Sequence, residues 1–327
     1  TSLVSFYDNA SVVKGGYTQE YIISKTLRYE ERLLRLHYSY KAETHNFPTG
    51  ISPFPGAATG SGGRIRDLLC VGKGGELIAG TAGYCVGDIF GSDKNYDFVY
   101  HHPIDILIEA SNGASDYGNK IGEPLIQGFT RSFRQDTKDN QRIEWLKPIM
   151  FSGGMGKIID YNIKKKKPEV GNLIVRIGGP AYRIGIGGGS ASSRTQDNLN
   201  RESDFNAVQR GDPLMANKIA KFIQTVSKKN IIISIHDQGS GGMANVTREI
   251  CDDKGADVFL DDVLLGDNTL TSLEKWVAEY QEQVTLLVDE NNILDLEKIA
   301  EREKVSLRVV GRITDSKTLN VYTDHSK

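Results

Sequence analysis

The sequence predicts an α+β fold in two mixed halves, and three observations carry that prediction. Runs with strand character are followed by runs with helical periodicity in each half, and no clear repeat relates one half to the other. The 35 glycines cluster in the connections between apolar runs, where tight turns and close backbone contacts need them. Near the middle of the chain, Lys164, Lys165, Lys166 and Lys167 stand directly before Pro168. Like charges repel and resist burial, so this run reads as a solvated linker in preference to a binding patch, dividing residues 1–165 from residues 169–327.

In the first half, residues 34–43, 77–86 and 98–100 read as strands joined by glycine-rich connections. A helix is predicted after Pro103, with apolar Ile104, Ile106, Leu107 and Ile108, an acid at Asp105 that suits the helix dipole, and a stop at Asn112-Gly113. Residues 116–120 would then form a loop near the site. Beyond the lysines, residues 173–177 read as a strand. Residues 213–228 form an amphipathic helix with Ile219, Phe222, Ile223 and Val226 on one face, and residues 231–235 a buried strand. Helices are predicted over 243–253, ended by Gly255, over 271–282, and over 293–304 as a charged outer helix. Strands over 307–310 and 319–322 close the domain.

Composition sets broad limits. With 327 residues, 39% hydrophobic and 25% charged, the chain has the make-up of an ordinary soluble globular protein long enough for two domains. A net charge of −2 leaves no electrostatic footprint for nucleic acid or an anionic membrane. No apolar run approaches the roughly 18 residues of a membrane span, and no signal-peptide pattern opens the chain. Cys70, Cys85 and Cys251 make no disulfide framework, which fits a reducing compartment and a cytoplasmic location. Beginning at Thr1 without a methionine, the sequence is read as a fragment.

Residues 41–67 concentrate the chemistry of a phosphate site. Lys41, Glu43 and His45 precede a glycine-rich stretch of Gly56, Ala57, Ala58, Thr59, Gly60, Ser61, Gly62 and Gly63, then Arg64, Ile65, Arg66 and Asp67. Read as a loop, the stretch would bring backbone N–H groups to phosphate oxygens. Lys and Arg would neutralise their charge, and Glu43 and Asp67 would hold a hard cation between them. Asp237, between a buried strand and Gln238-Gly-Ser-Gly-Gly242, is a third candidate of the same kind, against the ordinary reading of a turn-capping or ion-paired carboxylate. His45, beside a carboxylate, is the candidate for proton exchange, where a lone histidine would be structural.

Other motifs are weaker. Gly56 to Gly63 lacks the following Lys-Ser or Lys-Thr of the common P-loop. Gly185-Ile-Gly187-Gly-Gly-Ser190, with Asp204 downstream, nearly spells a dinucleotide fingerprint, but the intervening segment cannot supply the helix and strand that fold needs. A tight crossover and direct ligand contact both remain open there. Gly83-Tyr-Cys85-Val-Gly87 imitates a nucleophile elbow, yet it sits inside an apolar strand pattern and reads as a buried structural cysteine. Arg66 is the candidate for a bidentate phosphate clamp, with Arg64 competing for that role.

The Lys41-Ala-Glu-Thr-His-Asn-Phe-Pro48 run and the Gly56-to-Asp67 run together resemble the first catalytic half of the phosphoribosylformylglycinamidine synthase family, the amidotransferases of purine biosynthesis. Further matching stretches lie at 110–120, 147–154, 178–193, 204–213, 236–242 and 279–281, in the family's order. The resemblance implies the fold of the aminoimidazole ribonucleotide synthetase superfamily: an N-terminal α/β domain whose sheet pairs with a second copy, and a C-terminal α+β domain. It implies ATP-dependent conversion of formylglycinamide ribonucleotide, with ammonia from glutamine, to formylglycinamidine ribonucleotide, and Mg2+ held by Glu43, Asp67 and Asp237.

By the same resemblance His45 is the proton acceptor, and Thr44, His45, Asn46, Phe47, Arg66, Gln209, Glu279, Tyr280 and Gln281 meet the substrate. Lys41, the run from Gly56 to Asp67, and Gln127, Gly128 and Phe129 meet ATP. Phe47 stands where many members carry a second histidine. A second synthetase half and a glutaminase domain, both part of longer members, are absent from this sequence. Two alternatives accompany this reading: another ATP-using member of the superfamily, and a catalytically silent nucleotide-binding module.

Overall fold

The computed structural model describes residues 1–23, 28–91, 101–139, 141–195 and 200–323. The strand expected over 98–100 lies outside them. In chain order the first half contains β1 (Ser2–Val4), β2 (Ser11–Ile23), β3 (Tyr29–Thr44), α1 (Asn46–Ile51), α2 (Pro53–Leu69), β4 (Glu76–Val86), α3 (Pro103–Ile121), β5 (Leu125–Ser132), β6 (Arg134–Asp136), β7 (Arg142–Glu144) and β8 (Ile149–Ile159). The second half contains β9 (Leu173–Gly178), α4 (Gly188–Ser193), α5 (Arg201–Ala207), α6 (Pro213–Lys229), β10 (Ile232–Asp237), α7 (Gly242–Cys251) and β11 (Gly255–Phe259). It ends with α8 (Ser272–Val277), β12 (Gln283–Val288), α9 (Ile293–Glu303), β13 (Ser306–Thr314) and β14 (Leu319–Tyr322).

Two six-stranded sheets result, ordered β1-β2-β3-β8-β4-β5 and β10-β12-β9-β13-β11-β14. In the first, β4 and β5 are parallel, linked by the α3 crossover, and the remaining pairs are antiparallel. Helices α2 and α3 lie on one face, while Tyr38 and Tyr40, alternating with buried His37 and Ser39 along β3, leave the other face open. Ala58, Ile65 and Leu69 of α2 and Tyr117 and Ile121 of α3 pack into one apolar cluster with Ile219, Phe222 and Ile223 of α6. The two halves therefore share a core, and the cleft between them is held by buried apolar surface.

Helix α2 corrects the loop expected over residues 56–63. Glycine is a poor helix former, at about 1 kcal/mol per residue relative to alanine, and the sequence reads as a loop on that ground. Close packing overrides it. A Cβ at Gly56 would lie 2.4 Å from the Pro48 backbone, one at Gly60 2.8 Å from His45 Cβ, and one at Gly62 2.7 Å from the Tyr117 ring. The small residues let α2 sit directly against α1, β8 and α3.

The same effect corrects the expected end of α3. The helix runs through Asn112-Gly113 because a Cβ at Gly113 would lie 2.1 Å from the Phe54 carbonyl oxygen, so the glycine serves the α2–α3 crossing. The actual cap is Gly122, at φ 89. Residues 116–120 are helical, with Lys120 paired to Asp116 across one turn.

In the second half, α6 and α9 appear where the periodicity predicts them. The helix expected over 243–253 ends at Cys251, and Gly255 opens β11 instead of capping it. The helix expected over 271–282 is replaced by short α8, opened by a Thr271–Glu274 capping box, then an irregular segment and the strand β12. Strand β12 is buried on both faces between β10 and β9, so it lacks the alternation by which a half-exposed strand is read. Three of the four lysines are exposed as expected, but Lys165 turns inward: its Nζ lies 2.6 Å from Asp8 Oδ1.

Candidate functional site

A cavity of about 910 Å³ opens between the two halves. Strand β3 delivers Lys41, Glu43 and Thr44 to its wall, and the β3–α1 junction adds His45, Asn46 and Phe47. Thr59, Gly60, Gly63, Arg66 and Asp67 come from one face of α2. From the second half come Gly188 and Gly189 of α4, Gln209, Asp237 at the end of β10, and Glu279. The period of two along the strand puts Lys41 and Glu43 side by side, and the helical period turns Arg66 and Asp67 toward them.

One end of the cavity is acidic. Lys41 Nζ stands 2.6 Å from Glu43 Oε1 and 3.1 Å from Asp67 Oδ2. Asn9 donates from a single amide nitrogen to Asp67 Oδ1 at 3.3 Å and to Asp237 Oδ1 at 2.6 Å, so the two carboxylates face each other across it. Burial, and after it the charge of Asp237, holds the Asp67 carboxyl well above the usual carboxylate range, with Lys41 opposing. Among the described residues no ready cage of three or more His, Cys, Asp or Glu ligands is formed. Two facing carboxylates bridged by one neutral donor nonetheless fit a hard cation that completes its shell with phosphate and water.

His45 caps the start of α1. Its Nδ1 donates to the Gly56 carbonyl at 2.5 Å, which leaves Nε2 as the ring's acceptor. Burial lowers its pKa below the ordinary value, the Gly56 bond opposes, and the Arg66 charge lowers it further, so the ring is neutral at pH 7. Asn46 accepts from the Met150 N–H at 2.9 Å, fixing the junction to β8. Phe47 belongs to an apolar cluster with Ile51, Ala191, Ala207 and Val208, which accounts for an aromatic hydrocarbon at this position.

The two arginines part company. Arg64 is fully buried and paired with Glu123, away from the cavity. Arg66 reaches Glu282 Oε1 through Nη1 at 3.4 Å, and its Nε, 4.0 Å from Asp237 Oδ2, has no hydrogen-bond partner among the described residues.

Glu279 gathers the opposite wall. Its carboxylate accepts from Gln209 Nε2 at 2.8 Å, the Gly241 N–H at 3.1 Å, the Gly189 N–H at 3.4 Å and Ser240 Oγ at 3.4 Å. Burial raises its pKa, with these donors opposing. The Gly185–Ser190 stretch, with Gly185 at φ 69 and Gly187 at φ 71, is thereby a turn whose following residues line the cavity.

Other expected site residues lie elsewhere. Ala57, Ala58, Ser61, Gly62 and Ile65 are buried in the packing of α2 and do not line the cavity. Tyr280 and Gln281 lie behind the wall: Tyr280 Oη accepts from Arg176 Nη1 at 2.5 Å, and Gln281 donates to the Glu279 carbonyl at 2.9 Å. Gln127, Gly128 and Phe129 are on β5, at the sheet edge and outside the cavity. Cys85 is a buried strand residue, as its apolar setting predicts. Sequence reasoning missed Asn9, Lys165, His236 and Glu282. His236 lies 3.0 Å from Lys165 Nζ, and burial, then the lysine charge, pushes its pKa down to about 3. Its position one residue before Asp237 was the available signal.

Comparison with known proteins identifies the class first. Residues 169–324 match the family model described as AIR synthase related protein, C-terminal domain. The fold is shared with T. maritima PurL complexed with FGAR, at a TM-score of 0.71, 24% identity and coverage of 88% of this chain and 44% of that one. It is also shared with E. coli HypE, a hydrogenase maturation protein, at 0.60 and 14%, covering 89% and 84%.

Sequence relatives are more specific. The chain is 46% identical to phosphoribosylformylglycinamidine synthase of Dictyostelium discoideum over 96% of this chain and 24% of that protein. It is 44% identical to the Homo sapiens protein of the same name, over 99% and 25%. An Arabidopsis thaliana relative, named as a probable chloroplastic/mitochondrial phosphoribosylformylglycinamidine synthase, is 46% identical over 95% and 23%. The chain belongs to the phosphoribosylformylglycinamidine synthase family, and it spans about a quarter of the length of these curated relatives.

Proposed function

We propose that this chain is the first synthetase half of a phosphoribosylformylglycinamidine synthase. The reaction is ATP-dependent conversion of formylglycinamide ribonucleotide, with glutamine-derived ammonia, to formylglycinamidine ribonucleotide. The carrying observation is one cavity in which the Asp67–Asp237 pair, the Arg66 guanidinium and the neutral His45 ring converge from both halves. Relatives support the choice of substrate: T. maritima PurL has been solved complexed with FGAR and complexed with ATP.

In this reading the substrate's amide oxygen takes the γ-phosphoryl group of ATP, ADP leaves, and ammonia then displaces phosphate from the same carbon with loss of a proton. Asp67 and Asp237, with Glu43 supplying a further carboxylate beside Lys41, would hold Mg2+, which when bound would offset phosphate charge. Arg66, whose side chain lines the cavity, neutralises the substrate's own phosphate with its guanidinium charge. His45 Nε2, with the ring neutral and fixed by Gly56, takes the proton released from nitrogen. Gln209 and Glu279 orient the ribonucleotide against the glycine wall. Positioning and charge neutralisation supply most of the rate.

A second synthetase half and a glutaminase complete the enzyme. The open, aromatic face of the first sheet, with Tyr38, Tyr40 and Phe129 exposed, supports pairing with another such sheet, in the second half or in a homodimer, where Gln127 to Phe129 would approach the nucleotide. Buried, unpaired cysteines support a reducing compartment, the cytoplasm in this reading, and among the described residues no helix is long and apolar enough to cross a membrane. Calorimetric titration of the chain with Mg2+ and a non-hydrolysable ATP analogue, beside Glu43→Ala, tests the reading. Magnesium-dependent binding lost in the variant is expected; magnesium-dependent binding that Glu43→Ala leaves intact refutes the metal assignment.

A further inference from the structure

Glu282 does not line the cavity, yet its carboxylate is the point where both halves meet behind it. It is 2% exposed and sits at φ 57, a left-handed conformation that costs a non-glycine residue about 1–2 kcal/mol. Glycine would relieve that strain, so the side chain itself has a use here. Oε1 accepts from Tyr117 Oη of α3 at 2.6 Å and from Arg66 Nη1 of α2 at 3.4 Å, and Oε2 accepts from the Asp212 N–H at the start of α6 at 2.8 Å. Its carbonyl accepts from the Gly179 N–H at 3.2 Å, tying the turn to β9.

Arg66 needs such an anchor. Its side chain is 5% exposed, and a buried guanidinium without a counter-charge is strongly unfavourable. Glu282 meets it from one side only, at Nη1. Nε remains without a partner among the described residues, on the side of Asp237. The arrangement compensates the charge while keeping one donor edge unsatisfied, which is the state of a group awaiting an anion.

We infer that Glu282 is a positioning residue for ligand phosphate: through its bonds to Tyr117 and Asp212 it fixes the edge that Arg66 presents to the cavity. The inference rests on the proposed role of Arg66 as the phosphate clamp. It also explains why an anion site can be built by one half from an arginine of the other: the carboxylate is oriented by Asp212 and Tyr117 together, so Arg66 is aligned only when the halves are docked.

A double-mutant cycle tests this, with binding of formylglycinamide ribonucleotide to the chain measured by calorimetry for wild type, Arg66→Ala, Glu282→Gln and the double variant. Arg66→Ala is expected to weaken binding about tenfold or more, as for a lost charge-assisted hydrogen bond. Glu282→Gln should weaken it about fivefold or more in the wild-type background and less than about twofold in the Arg66→Ala background. Equal losses in both backgrounds would mean a purely structural role and overturn the inference. No loss from Glu282→Gln beside a clear loss from Arg66→Ala overturns it too, while leaving the phosphate clamp standing. No loss from Arg66→Ala overturns both. Thermal melting checks that each variant is folded. If Glu282→Gln is not, Tyr117→Phe, which removes one donor to the carboxylate without touching Arg66, takes its place in the same cycle with the same criteria.

Discussion

Arg64 and Arg66, two residues apart in one helix, are predicted to have opposite roles, and the Arg64–Glu123 pair is where the prediction is sharpest. Both side chains have no exposed surface. The contact is two-pronged, with Nη1 on Oε1 and Nη2 on Oε2 at 2.6 Å, and Nε donates to Ser152 Oγ at 3.3 Å. The guanidinium occupies a slot made by Gly80 and Gly154, which face each other across β4 and β8: a Cβ on either would lie 2.5 Å from an Arg64 nitrogen. Glu123 is the counter-charge of Arg64 in this geometry, and both side chains are fully buried, so Glu123→Leu leaves a buried cation without its carboxylate.

Removing one partner of such a pair costs about 3–5 kcal/mol, whereas replacing both with apolar groups is often near neutral. At about 2–4 °C per kcal/mol for chains of this order, Glu123→Leu is expected to lower Tm by about 6–20 °C. Arg64→Met/Glu123→Leu should recover most of that loss. Urea unfolding followed by circular dichroism supplies the free energies, with an unchanged slope required for the comparison. The double variant should keep its ligand affinity, since neither side chain touches the cavity, while Arg66→Ala should lose it. A loss below about 1 kcal/mol for Glu123→Leu, or loss of ligand binding in a stable double variant, refutes the assignment of Arg64 to structure alone.

Three further outcomes follow from the same geometry. Gly56→Ala should destabilise the chain by about 1–3 kcal/mol in urea unfolding, because its Cβ would meet the Pro48 backbone at 2.4 Å; an unchanged midpoint would count against helix packing as the reason for this glycine. Because burial lowers the His45 pKa below 6.5, turnover of the reconstituted enzyme should fall, on account of this base, only as pH drops below that value. A limb from this group rising through pH 7 or above, identified by its absence in His45→Asn, contradicts the neutral-ring assignment. Burial pushes the Cys251 thiol up to about 12 and raises Cys70 well above its ordinary value, so neither should be alkylated by iodoacetamide at pH 8 in the native chain, and both should be after denaturation; rapid native labelling by mass spectrometry would oppose it.

What could be read from the sequence was local. The stripe of Ile219, Phe222, Ile223 and Val226 gives α6 because periodicity within one helix needs no partner to be seen, and Lys41 and Glu43 share a face because strand residues two apart must. The segment from 278 to 282 shows the opposite case. Its composition suits a helix, but Glu279, Gln281 and Glu282 bond to loops and to α2, α3 and the start of α6, and β12 is recognisable as a strand only once β9 and β10 flank it. Asn9 is further still from any local signal: one amide from the N-terminal segment meets carboxylates from residues 67 and 237.

The glycine run gives the most useful error, because correcting it changes the chemistry. As a loop, residues 56–63 would bind phosphate through free backbone N–H groups. Within α2, those groups beyond the first turn are committed to carbonyls four residues back and cannot turn to a ligand. Phosphate charge in this cavity must therefore be met by side chains and a cation, and the glycines act one step earlier, by letting α2 approach closely enough to bring Arg66 and Asp67 to the wall. A substitution at Gly56, Gly60 or Gly62 should for that reason lower stability and ligand affinity together, and Arg66→Ala should lower affinity with the fall in Tm expected when the buried Glu282 carboxylate loses its counter-charge. A loop that bound phosphate directly would give the reverse, with affinity lost at Gly56 or Gly60 and the melting temperature unmoved.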